Sequence, residues 1–268
     1  MVLFRIFATR TVAGLLGVGA GIGGFAASDH DWVAPTSNYS IYQNSSEWNS
    51  NWDLREKPPS ESEAKTNGTV HHILLVRHGQ YVHGKNDKER VLTDLGKRQA
   101  ELTGKRIRSL IDDGELPPIT RYVFSTMSRA TETAEIIAKQ LELGDVESTP
   151  CSLLREGAVF PPNPEPVSWK PSVEEFRKDG IRVEAAFLRY FHRPDEDTDS
   201  CHTTVLVCHG NVIRYCVMRA LQLPPEAWLR TAVYNGSITA LEVRDDGRVS
   251  LRGMGDVGFL NPKEITYQ

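Results

Sequence analysis

Four side chains of this sequence have the types and spacing to handle a phosphoryl group. Arg77 and His78 follow the apolar run Ile73-Leu74-Leu75-Val76, and His209 follows Val205-Leu206-Val207-Cys208. Arg129 comes just after Tyr122-Val123-Phe124-Ser125, where a helical pattern starts. Phosphoryl transfer asks a protein for positioning and charge stabilisation more than for covalent work. Arginine suits that demand, since its planar fork donates two parallel hydrogen bonds and stays charged. A neutral imidazole can attack phosphorus and hold the group as phosphohistidine, which splits the displacement into two steps. One of His78 and His209 is therefore expected to attack while the other donates to the phosphoryl oxygens. The leaving alkoxide also needs a proton. Glu156, in Leu153-Leu154-Arg155-Glu156-Gly157, is the candidate donor; the alternative for it is a pair with Arg155 or a surface lysine. A purely structural role is the competing reading of each of these residues. For Arg77 and His78 it must explain two adjacent polar groups ending an apolar strand without a ligand, which is costly.

These residues need elements that bring them together. The runs 71–76, 121–124 and 203–208 predict three buried strands, each ending in a chemical group. Thr93 is a good N-cap for a helix from Asp94 to Ile111, and further helical patterns cover 128–143, 172–191 and 212–222. The turn signal Asp245-Asp246-Gly247 between 237–243 and 248–252 predicts a hairpin. Strands alternating with helices call for an α/β fold, a mostly parallel central sheet with helices on both faces. Ligands of such sheets gather at the carboxyl ends of the strands, where the four side chains fall. The predicted domain runs over 70–254, with 255–268 as a C-terminal tail.

Charge divides the rest of the chain. Net charge is −4, with no basic footprint for nucleic acid. Residues 1–28 hold two arginines and no acid, whereas 29–69 hold seven acids against three basic residues. From Thr11 to Ala27 no residue is charged, and Gly17, Gly19, Gly21 and Gly23 give the Gly-xxx-Gly spacing of close-packed membrane helices. As a helix this stretch would span about 25 Å, so reaching a hydrocarbon core of about 30 Å needs an extension back to Ile6. Residues 1–28 are read as an amino-terminal targeting segment or transmembrane anchor. A secretory signal, with sequons at Asn38, Asn44 and Asn67, and a buried soluble helix are the other readings. Residues 29–69 read as a flexible linker interrupted by Trp48-Asn49-Ser50-Asn51-Trp52-Asp53. Two indoles in a polar tether bury against something, either their own domain or a neighbouring subunit. Cys151, Cys201, Cys208 and Cys216 form no Cys-x-x-Cys pair, which argues against zinc, and they read as free thiols.

Arg77-His78-Gly79, Leu92-Thr93-x-x-Gly96-x-x-Gln99-Ala100, Ser128-Arg129-Ala130-x-Glu132-Thr133 and His209-Gly210 together resemble the histidine phosphatase, or phosphoglycerate-mutase-like, superfamily. The resemblance implies a three-layer α/β fold, no metal and no cofactor. It implies His78 as nucleophile, with Arg77, Arg129 and His209 as phosphate ligands and an acidic residue at Glu156. Further segments, among them Ser168-Trp169-Lys170-Pro171, Asn211-Val212-Ile213-Arg214-Tyr215 and Asn235-Gly236-Ser237, look like the mitochondrial, membrane-anchored serine/threonine-protein phosphatases of that superfamily. That closer resemblance implies phosphorylated protein substrates and a single pass through a mitochondrial membrane, the outer favoured over the inner. It also implies a homo-oligomer, since those members assemble through a Trp-Asp-x-Asn-Trp-Asp motif. Here Trp48, Asn51, Trp52 and Asp53 match that motif, and Asn49 replaces its first aspartate. Two rival functions remain: a small-molecule phosphomonoesterase or phosphoglycerate mutase, and a membrane scaffold that keeps the fold for binding.

Overall fold

Side-chain alternation distributes each strand between two cores. In β1 (Val70–Arg77), Ile73 and Leu75 enter one apolar layer and Leu74 and Val76 the other, all four buried. An unbroken apolar run is what a strand covered on both faces requires. The computed structural model describes residues 47–55, 68–195 and 198–267. The remaining strands are β2 (Ile119–Ser125), β3 (Ser148–Cys151), β4 (His202–Cys208), β5 (Ile238–Arg244) and β6 (Val249–Asp256), in the sheet order β3-β2-β4-β1-β5-β6. The first four in that order run parallel, and the β5–β6 hairpin adds antiparallel to β1, so the sheet is mixed.

Helices α1 (Asp94–Asp112) and α2 (Ser128–Leu141) cover one face, burying Ile107 and Ile137 against Leu74, Val76 and Val205. Helices α3 (Val173–Tyr190) and α4 (Gly210–Ala220) cover the other, burying Phe187 and Val217 with Ile73, Leu75 and Leu206. The caps follow the sequence. Thr93 accepts from Gly96 N at 3.0 Å, and Ser172 forms a reciprocal capping box with Glu175. Neither α2 nor α4 has a side-chain cap from its own N-cap residue. Both of these helix starts face the carboxyl ends of the parallel strands.

Strand β3 was not expected, because it is four residues long, largely exposed and contains Pro150; a sheet edge tolerates that composition. His71 and His192 are both buried. His71 Nδ1 donates to His192 O at 2.9 Å and its Nε2 lies 2.8 Å from Thr204 Oγ1. Burial pushes the His71 imidazole down to about 3, so the ring is neutral.

Described residues outside 70–254 pack on this domain. Trp52 is fully buried, donating from Nε1 to Gly247 O at 2.8 Å, with its ring 5.7 Å from Phe187. Asp53 pairs with Arg193 at 2.8 Å. Trp48 stays 44% exposed, outside that seat. Beyond β6, the terminal residues return to the strand ends, where Thr266 O accepts from Asn235 N and Thr266 Oγ1 bonds Asn235 Oδ1. The predicted anchor over 1–28 lies outside the described residues. Among the described residues, no helix is long and apolar enough to cross a membrane.

Candidate active site

Arg77 closes β1 with its backbone N bonded to Ser237 O and its Nη1 donating to Val233 O at 2.6 Å. The next residue, His78, donates its backbone N–H to Cys208 O at 3.0 Å, so the ends of β1 and β4 are tied together. Its ring is 5.1 Å, centroid to centroid, from that of His209, which follows β4. Arg129, in the first turn of α2, donates from Nε to His78 Nε2 at 3.1 Å. Glu156 sits on the loop after β3, its Oε2 3.4 Å from Asn211 N in the first turn of α4 and its Oε1 accepting from Gly157 N. The five expected residues thus meet at one end of the sheet. Among the described residues, Glu156 forms no ion pair with Arg155 or a lysine.

The imidazole of His78 has one available orientation for its proton. Nδ1 lies 2.8 Å from the carbonyl of Gly79, which can only accept, so Nδ1 carries the hydrogen. Nε2 is then a lone pair, as the Arg129 N–H pointing at it requires. Burial, followed by the positive charges of Arg129 and Arg77, pushes His78 well below the ordinary histidine range and keeps it neutral. His209 is also held neutral, by burial first. Its Nε2 lies 2.8 Å from Ser125 Oγ, while its buried Nδ1 has no hydrogen-bond partner among the described residues. Burial raises the carboxyl of Glu156 above the usual glutamate range, against the opposing pull of Arg129 and Arg77. Arg129 Nη1 is likewise buried without a hydrogen bond, 3.7 Å from Asp87. Buried nitrogens left without a hydrogen bond at the strand ends, on Arg129 and His209, make a seat for an anion.

Several supporting residues escaped the sequence reading. Tyr81 places its ring 4.8 Å under the Arg129 guanidinium and edge-on to His78. Asp87 caps α2 from a separate loop, accepting from Ser128 N at 3.2 Å. Thr133 accepts from Gly79 N and donates to Arg129 O, joining the two motifs. Asn235 donates to His78 O at 3.2 Å. Thr133 and Asn235 lay within quoted motifs, but nothing in their types announced a partner. Among the described residues, no group of three His, Cys, Asp or Glu is arranged to hold a metal ion.

A mixed α/β sheet with two arginines, two neutral histidines and a half-buried carboxyl at its strand ends defines an enzyme class that handles phosphoryl groups. Residues 73–256 match the model of the histidine phosphatase superfamily (branch 1), and the chain belongs to that family. It is 45% identical to the mitochondrial serine/threonine-protein phosphatase PGAM5 of Xenopus tropicalis, over 82% of this chain and 83% of that protein. The human protein of the same name is 43% identical over 82% of this chain and 80% of its own length. The Xenopus laevis relative is 41% identical and aligns with 97% of this chain and 95% of itself. Among solved structures, a phosphoglycerate mutase from Plasmodium falciparum is 32% identical with a TM-score of 0.52, covering 75% of this chain and 99% of its own.

Proposed function

We propose that this chain hydrolyses phosphoserine and phosphothreonine in proteins through a phosphohistidine on His78. The observation that carries the reading is the fixed Nδ1–H tautomer of a neutral His78, whose Nε2 lone pair sits within the anion seat. The protein-phosphatase names of relatives 41–45% identical to it support the substrate class. On binding, the phosphoryl oxygens take the donors of Arg77, Arg129 and His209, and the Arg129 Nε–H leaves His78 for an oxygen. Nε2 then attacks phosphorus as Glu156 gives its proton to the departing serine or threonine oxygen. In the second step Glu156, now a carboxylate, takes a proton from the water that displaces phosphate from Nε2.

The small-molecule reading is kept in view by the 32% identical phosphoglycerate mutase. Turnover of phosphoserine peptides set beside 3-phosphoglycerate separates the two. His78→Ala should abolish turnover and leave no acid-labile label on the protein. Label persisting on His78→Ala would transfer the nucleophile to His209 and defeat the proposal.

We further infer a mitochondrial location with residues 1–28 as a single-pass anchor, supported by the relatives' names and the uncharged stretch from Thr11 to Ala27. Proteinase protection on isolated mitochondria tests it. Homo-oligomerisation through the Trp48–Asp53 segment belongs to the same reading. Its support is the exposed indole of Trp48, since Trp52 and Asp53 have a seat in their own domain.

A further inference from the structure

The two histidines of the site are held in different ways. His78 has its proton assigned by a carbonyl, which can only accept. His209 has no such partner. Its Nε2 faces a serine hydroxyl, which can donate or accept, and its buried Nδ1 has no hydrogen-bond partner among the described residues. Which nitrogen of His209 carries hydrogen therefore depends on which way the hydroxyl of Ser125 points.

Ser125 is the last residue of β2, fully buried beneath the turn into α2. Its Oγ lies 3.4 Å from the backbone N–H of Met127, a group that can only donate. Among the described residues, the hydroxyl hydrogen has one acceptor within reach, His209 Nε2 at 2.8 Å. If instead Nε2 carried the hydrogen, Ser125 Oγ would accept twice and its own hydrogen would have no acceptor. His209 Nδ1 would then turn a lone pair toward the anionic oxygens, where repulsion replaces attraction.

We infer that Ser125 is a positioning residue that fixes His209 in its Nδ1–H form, so that a hydrogen-bond donor faces the phosphoryl group. The chain of donors runs from Met127 N–H to Ser125 Oγ, from Ser125 O–H to His209 Nε2, and from His209 Nδ1–H to a phosphoryl oxygen. The two histidines then share one tautomer for opposite reasons. Each carries hydrogen on Nδ1, which leaves His78 an Nε2 to attack with and gives His209 an Nδ1 to donate with. The inference rests on the proposed role of His209 as a phosphate ligand.

The test is a double-mutant cycle on the full chain, with Ser125→Ala and His209→Ala alone and combined, assayed on phosphoserine peptide. Each single variant should lose roughly 10²-fold in kcat/KM, the loss typical of one misdirected oxyanion donor. The double variant should lose no more than His209→Ala alone, because Ser125 acts through that ring. Ser125→Thr, which keeps the hydroxyl, should recover most of the activity. The ¹⁵N spectrum of the histidine-labelled wild-type chain should show His209 as Nδ1–H, a reading that needs no variant to fold. An Nε2–H signal in the wild type, or additive losses in the cycle, overturns the assignment. A fully active His209→Ala would instead remove the phosphate-ligand reading beneath it.

Discussion

Glu156 is pulled two ways at once. Loss of water raises the proton affinity of its carboxyl, and the guanidiniums of Arg129 and Arg77 lower it; burial wins and the net shift is upward. A raised value keeps the acid protonated to higher pH than an ordinary glutamate, as a general acid needs. Turnover of a phosphoserine peptide should therefore fall as pH rises through that value, while para-nitrophenyl phosphate, whose leaving group needs no proton, should show no such descent. Glu156→Gln should cost the peptide reaction about 10²-fold or more, cost the aryl phosphate far less, and erase the descent from the pH profile. Equal losses on both substrates would make Glu156 a structural residue. The sequence disclosed this residue and the four around it because each ends an apolar run or begins a helical one. It did not disclose Ser125, Asp87 or Tyr81. A serine at the end of a strand has no signature until the ring it faces arrives after β4, 84 residues further on.

The loop that follows β1 touches the first turn of α1 at a glycine. A Cβ on Gly96 would come 1.9 Å from the carbonyl oxygen of Gln80, two residues past His78. Replacing a helical glycine with alanine ordinarily favours the helix by about 1 kcal/mol. Here the clash is with backbone, so the start of α1 has to move away from the His78 loop, and overpacking of this kind costs about 1–3 kcal/mol. Gly96→Ala should lower the melting temperature and reduce kcat together, in calorimetry and peptide assays run on the same preparation. A stabilised, fully active variant would show that the loop yields freely. The helix itself was readable, since Thr93 caps it as its type predicted. Boundaries were less so. Helix α4 begins at Gly210 rather than 212, because its first turn is committed to the site and not to the apolar stripe that reveals a helix. Strand β3 escaped because its residues are selected for an exposed edge.

At the scale of the molecule, the segment over 47–55 acts as a fastener. Trp52 is fully enclosed and Trp48 is not, so the two indoles should part company on mutation. Trp52→Ala should destabilise the domain by about 3–5 kcal/mol, seen as a lower melting temperature. Trp48→Ala should leave melting unchanged and reduce the mass in light scattering if the segment joins copies. The sequence presented the pair as equivalent, since the Gly247 carbonyl that receives one indole lies 195 residues away. Sheet order separates other partners as widely. Strand β1 lies between β4 and β5, and the carbonyl of His78 is held by Asn235, 157 residues later. A ribosome adding 5–20 residues per second releases the strand that leads to His78 about 8–30 s before it makes that partner. Until β4 (His202–Cys208) is made, both edges of β1 are bare hydrogen-bonding ribbons, and the edge that β5 takes stays bare beyond that, which invites aggregation. The site thus assembles late: until residue 235 has been made, the carbonyl of His78 lacks the side chain that holds it.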